Sequence, residues 1–407
     1  MSFVIDNIQN GDLPFSLHIE NGVIAAIGTD SAMPADTERY DAAGAMYTPG
    51  FVDAHVHLDK ALILDRCVIC EGNLPEAVRL TAAAKSAFTE DDVYARAEKV
   101  LEMAVRAGTQ SMRSFVEVDP RAGLRSFHAL KRLQSDWADM IDLQLCVFAQ
   151  DGLTQEMETY TLMREAMALG GDVVGGCPYT DPDPVAHVSL IFDLAAEFNA
   201  DVDFHIDFNL DPAGTILPEI IAQTTARDWR GRVTVGHATK FAAFTPTRRA
   251  ELAQAMVEAG IALVVLPSTD SFLNGDRTDP LRPRGIAPAA DIASEGVMVA
   301  LASNNVQNPF TPFGDASLIR MGGYYANLDQ LSSDAQMEHV FQMICENPAH
   351  IVRGGPVSLA VGAPADFILI AAQSRSDTIR ANRPVMGIVK GGRIRLWAPQ
   401  PPLTRGF

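Results

Sequence analysis

The chain has 407 residues, 47% of them apolar and 20% charged, a composition that suits a folded protein with a sizeable core. A formal net charge of −19 argues against nucleic acid or an anionic membrane as partner, because both would repel it. No apolar run approaches the roughly 18 residues of a membrane span, and Met1-Ser2-Phe3-Val4-Ile5-Asp6 lacks the basic start and apolar core of a signal peptide, so a cytoplasmic protein is expected.

Residues 1–48 carry short alternating runs, Leu17–Glu20 and Val23–Gly28, on either side of Asn21-Gly22, which predicts a hairpin. An apolar strand follows in Pro49-Gly50-Phe51-Val52-Asp53-Ala54-His55-Val56-His57-Leu58-Asp59-Lys60. Residues i and i+2 of a strand share one side, so His55 and His57 aim at one point beyond its end, as a metal chelate requires. Pro75 opens a helix to about Phe88. Thr89-x-x-Asp92 then caps a second, with an apolar stripe of Val93, Ala97, Val100, Leu101 and Ala104 and a stop at Gly108.

Strands are predicted at 111–118, 143–149, 172–175, 202–206, 233–236, 262–266 and 297–302. Helical stretches fall at 155–169, 187–199, 214–227 and 246–259, with a helix pair over 333–352. With the first strand this makes eight βα units in about 300 residues, which fits a (β/α)8 barrel. Strand texture returns at Ala365–Ile370 and Gly387–Arg395. His18 reads as an outward strand residue, and His128, His187, His339 and His350 as surface or packed residues. The five cysteines are scattered, and Cys67-x-x-Cys70 has no second pair, so reduced thiols are expected.

Barrel chemistry collects at the C-terminal ends of the strands. In order, those ends present His55 and His57, Glu117 and Asp119, Gln150, Gly175-Gly176, His205 and Asp207, His237, Asp270, and Asn304 with Asn305. His55, His57 and His205 form a three-imidazole set suited to zinc or ferrous iron, with a position left open for water. His237 is placed beside it as a hydrogen-bond partner or electrostatic stabiliser.

The segment Pro49–Lys60 resembles the first-strand signature of the amidohydrolase superfamily, in its cytosine-deaminase-like branch, and His55-x-His57-Leu58-Asp59-Lys60 is also similar to N-alkyl-ammelide hydrolases. Val147-Phe148-Ala149-Gln150-Asp151-Gly152, Arg230–Thr239, Asn274–Asp279 and Arg282–Ile286 extend the resemblance over nearly the whole chain. It implies a distorted (β/α)8 TIM barrel over 49–353, with residues 1–48 and 354–407 forming a small β-sandwich. It also makes Gln150 a substrate contact. The fourth strand lacks the lysine from which two-metal relatives build a bridging carbamate, so one metal is expected.

Three departures fall where the chemistry should be. Phe208 stands where cytosine deaminases place a proton-shuttling Glu, Asn304 where they place a metal-binding Asp, and Phe115 where they have His. A positioned general acid–base is worth about 10²–10⁴-fold in rate, so their loss demands replacement. Asp207 or Lys60 is expected to take over proton transfer. Phe208 and Asn305 are expected to line the substrate site. Asn304 offers metal a neutral carbonyl oxygen and should hold it less tightly.

The sequence therefore reads as a hydrolase of a non-peptide C–N bond in a small nitrogen heterocycle or cyclic amide. It is expected to use one divalent transition metal, zinc or iron, weakly bound, and to be open to homo-oligomer assembly. The alternatives are a metal-poor barrel that binds a heterocyclic ligand, or a lyase or isomerase on the same scaffold.

Overall fold

The computed structural model describes residues 2–11, 13–29, 33–34, 36–275 and 278–398. Asp276 and Arg277, in the loop singled out above, and the last nine residues of the 354–407 segment lie outside them.

Eight strands hydrogen-bond side by side in chain order, every pair parallel. They are Phe51–Val56, Thr109–Glu117, Asp142–Ala149, Val173–Gly176, Asp201–Ile206, Val233–His237, Ile261–Val265 and Val299–Leu301. First and last meet through one residue: Asn304 N donates to His55 O, and His57 N donates to Asn304 O, each at 2.8 Å. The result is a distorted (β/α)8 barrel. Its strands read as unbroken buried runs because helices cover the outside and packed side chains fill the inside; all nine residues of Thr109–Glu117 are buried.

The helix Glu346–Arg353 plugs the lower end, with Ile351 and Val352 packed against Ala54, Val264, Ala300 and Ala302. Beside it lies a buried ion pair, in which an Arg113 Nη donates to Asp203 Oδ2 at 2.8 Å. Arg113 also donates to Gln144 Oε1 at 2.7 Å and to Ile351 O at 3.2 Å, which ties the second, third and fifth strands to the plug.

Both chain ends enter one further eight-stranded sheet. Met46–Thr48 pairs antiparallel with Phe367–Ile370, which carries Val385–Lys390 and Arg393–Trp397 into the same sheet as the N-terminal strands. The expected hairpin is present, with φ of +51° at Asn21 and +88° at Gly22, the left-handed pair that a two-residue turn favours. A Cβ on Gly392 would stand 2.3 Å from Gly22 Cα, so the two ends touch glycine to glycine. Phe3, Ile5, Leu17, Phe367, Leu369 and Val389 give the sheet its own core.

The expected strands and helices appear with ends shifted by a few residues. The helices Arg125–Asp136, Pro267–Leu273, Ala289–Ser294, Leu318–Leu328 and Arg375–Ala381 lie outside the stretches foreseen as helical. Three of these are seven residues or shorter, too brief to show a helical apolar repeat. His128, His339 and His350 lie on exposed helix surface, and His187 is buried against Asp181. All five cysteines are free thiols. No helix among the described residues is long and apolar enough to cross a membrane.

Candidate active site

Three imidazoles converge at the upper end of the barrel. His205 Nε2 lies 3.1 Å from His55 Nε2 and 3.1 Å from His57 Nε2, and one nitrogen from each ring falls within 4.8 Å of the others. The backbone of Asn304 clamps both sides of the first strand's end and so fixes the spacing of His55 and His57. Phe115, 4.1 Å from the His55 ring by centroid, and Phe148, 4.2 Å from that of His205, wall the set in. Phe115, expected to stand at a histidine position, serves here as packing against the imidazoles.

All three rings are buried, and burial first, then the crowding of the other imidazoles and of Lys60, hold each well below the usual imidazole pKa. They are neutral at pH 7, the form that binds metal. Apart from one another, their Nε2 atoms face no protein partner, and their Nδ1 atoms have none among the described residues. Both polar atoms of the Asn304 side chain are likewise buried and unpaired, which costs about 1–3 kcal/mol per group unless something binds there. Converging neutral nitrogens beside an orphaned amide fit a divalent transition ion.

Gly236 makes room for this arrangement, since a Cβ there would stand 3.0–3.1 Å from the His55 ring. Gly236→Ala should push that ring aside and weaken metal affinity about 10–100-fold, the scale at which misoriented ligands are felt. Competition against a coloured chelator measures it, and unchanged affinity would refute the role.

His237 sits at φ +68° at the end of the sixth strand, a left-handed backbone rare outside glycine. Its ring is 5.0 Å by centroid from that of His205, and its Nδ1 is 2.6 Å from Asp270 Oδ1. Burial raises the Asp270 carboxyl, and His237 opposes that rise. Nδ1 is thereby occupied by Asp270. Phe208 packs 4.5 Å from the His237 ring and 6.2 Å from the Tyr179 ring, a flat apolar wall.

On the opposite side Lys60 is buried, donating to Glu117 Oε1 and, at 3.1 Å, to Gln150 Oε1; its ammonium lies 4.7 Å from the centre of the Phe310 ring. The Gln150 amide nitrogen lies 3.6 Å from Cys177 Sγ. Behind Lys60, Lys85 donates to Glu117 Oε2 at 3.1 Å and to Asp119 Oδ2 at 2.5 Å. Burial pushes Glu117 up, but the two ammonium groups outweigh it and hold the carboxyl at about 2.

Asp207 and Asn305 are engaged elsewhere. The Asp207 carboxylate accepts from Thr215 Oγ1 at 2.5 Å and Ile216 N at 3.3 Å. Asn305 donates to Thr269 Oγ1 at 3.4 Å and accepts from Asn308 Nδ2 at 2.7 Å. The structure thus gathers His55, His57, His205 and His237, places Lys60 with Gln150, and ties Asp207 into the following loop. Sequence reasoning marked Asp270 and Glu117 only as strand-end residues; as partners of His237 and Lys60 they share no local motif with them. Lys85 carried no signal, being one lysine on a helix.

Residues 79–395 match the amidohydrolase family model. A pterin deaminase from Rhizobium rhizogenes is 27% identical over 394 residues, covering 95% of this chain and 89% of its own. An N-isopropylammelide isopropyl amidohydrolase from Pseudomonas sp. is 25% identical over 370 residues, covering 88% and 87%. The 5-methylcytosine deaminase of Klebsiella pneumoniae, solved with 5-fluorocytosine, superposes with a TM-score of 0.92 at 26% identity over 99% of both chains. The protein belongs to the amidohydrolase family. It is a hydrolase of C–N bonds other than peptide bonds.

Proposed function

We propose that this protein hydrolyses a C–N bond of a small nitrogen heterocycle, replacing an exocyclic amine by oxygen, with His55, His57 and His205 holding one zinc or ferrous ion. The observation that carries the reading is the convergence of three buried imidazoles that have no other polar partner among the described residues. Its relatives support the substrate class: their names refer to pterin, an ammelide and 5-methylcytosine. A bound divalent ion would supply a water whose pKa falls towards about 7.

The chain's own groups do the rest. Gln150, oriented by Lys60, presents its amide to a ring edge carrying one donor and one acceptor. Phe208 and Tyr179 wall the ring. His237 Nε2 holds or accepts the proton of the attacking water while Asp270 steadies the imidazole through Nδ1. The attacking oxygen forms a bond to the ring carbon, and the carbon–nitrogen bond breaks with its electrons on nitrogen. That nitrogen needs a proton, a role assigned here to the Lys60 ammonium, with Glu117 compensating its charge. Asp207 is assigned to positioning, through its hold on Thr215 and Ile216. Asn304, whose amide is buried without a partner, would hold such an ion less firmly than a carboxylate because it is neutral. The protein acts in the cytoplasm.

Metal analysis after reconstitution with zinc or iron, alongside a screen of pterins, pyrimidines and triazines for amine release, tests the reading. About one ion per chain and turnover of at least one class are expected. Less than a tenth of an equivalent with no product would overturn it. Phe208 against His237, at a position where the resemblance implies an acid, favours a second reading, a barrel that binds the heterocycle without turnover. That reading predicts a ligand-dependent rise in melting temperature with no product.

A further inference from the structure

A cavity that none of the four histidines lines opens elsewhere on the barrel. It encloses about 630 Å³ over the loops that follow the first, seventh and eighth strands, within the range of small-molecule sites. Three arginines, Arg282, Arg284 and Arg320, line it together with Phe272, Phe313 and Tyr324. Such a concentration of cations is unexpected on a chain of net charge −19.

The cations are poorly neutralised. Arg320 Nε lies 3.1 Å from Asp315 Oδ1, a half-exposed pair of the kind worth little. Arg282 and Arg284 form no ion pair with a carboxylate among the described residues; the contact Arg284 makes is a 3.4 Å hydrogen bond from its Nε to Arg282 O. Guanidinium groups in a concave site recognise carboxylates through paired N–H donors. The aromatic members supply the other half of the site. The Phe272 and Phe313 rings meet edge to face at 6.0 Å, and Tyr324 OH is 2.8 Å from Ser271 Oγ. Phe313 is 59% exposed and Tyr324 41%, so a bound ring would cover apolar surface that now faces water.

The cavity shares an element with the proposed active site. The helix Pro267–Leu273 sets Asp270 against His237 and lines the cavity with Ser268, Ser271 and Phe272.

We infer that this cavity binds a small aromatic or heteroaromatic carboxylate, its ring against Phe272, Phe313 and Tyr324 and its carboxylate on Arg282, Arg284 and Arg320. The inference does not rest on the metal reading. Its ligand is either the acidic arm of a substrate or a separate small acid.

The test is calorimetry on the full chain after EDTA treatment, with 2-naphthoate and its neutral isostere 2-naphthamide as probes. Naphthoate should bind, naphthamide at least tenfold more weakly, and the double variant Arg282→Gln with Arg284→Gln should lose at least tenfold for naphthoate alone. Arg248→Gln, which removes a guanidinium stacked on Phe244 outside the cavity, should change nothing. Equal affinity for the two probes, no loss in the double variant at an unchanged melting temperature, or no binding up to millimolar concentration would each overturn the proposal. Using metal-free protein keeps this result independent of turnover. With active enzyme, competitive inhibition by naphthoate identifies a substrate arm, and binding that leaves KM unchanged identifies a separate acid.

Discussion

His205→Ala should abolish metal uptake and lower kcat/KM by at least 10³-fold, equivalent to about 4 kcal/mol of transition-state stabilisation. His205 is the pivotal member because its Nε2 is 3.1 Å from both first-strand nitrogens, whereas His55 and His57 approach each other only through the common centre. Two imidazoles left on one strand are a poor site for an ion that takes three protein ligands when it keeps a position open. The fold should survive. The ring meets Phe115 edge to face and lies tilted against Phe148, with no hydrogen bond outside the histidine set among the described residues, so the change opens a cavity and leaves no charge stranded. Metal content, melting temperature and turnover measured on the same preparation separate the effects. A variant that retains a full equivalent of metal and wild-type rates would show that the three histidines are not the metal centre.

Arg113→Ala should cost about 3–5 kcal/mol of stability, lowering the melting temperature by roughly 4–6 °C, with the metal centre untouched. Arg113 and Asp203 are 1% and 0% exposed at their side chains, so removal of the cation leaves a carboxylate in the barrel floor with no opposite charge. Burial already raises Asp203 to about 6 despite its partner. The unpartnered acid would move further up and take a proton at neutral pH, which limits the loss. The double change Arg113→Met with Asp203→Leu should recover most of the stability, because well-packed apolar groups replace a buried pair at little cost. Thermal denaturation of the three variants decides this. A loss under 1 kcal/mol for the single change would mean that the floor admits water.

The barrel was legible because its determinants are local. Each strand is an apolar run of a few residues between turn signals, and the alternation with helices repeats eight times. The pairing of His55 with His57 was legible for the same reason, since the period of a strand puts them on one side. The same rule extended to His205 and Asp207 does not hold. The fifth strand ends at Ile206, and Asp207 turns to φ +52°, which sends its carboxylate to Thr215. A two-residue rule is valid only while the backbone remains extended; the sequence placed the strand's end at residue 206, but not the left-handed turn that follows it.

The sequence by itself determined the fold and brought the first two histidines of the candidate metal centre to one side of a strand. Tertiary structure alone decided who partners whom. Lys60 meets Glu117 across 57 positions and Gln150 across 90, and His237 meets Asp270 across 33. The arginine-lined cavity unites loops following three different strands. Such contacts depend on barrel closure at Asn304 and on which turns leave the strand direction. They are set by the summed packing of the whole chain, and no window of sequence contains them.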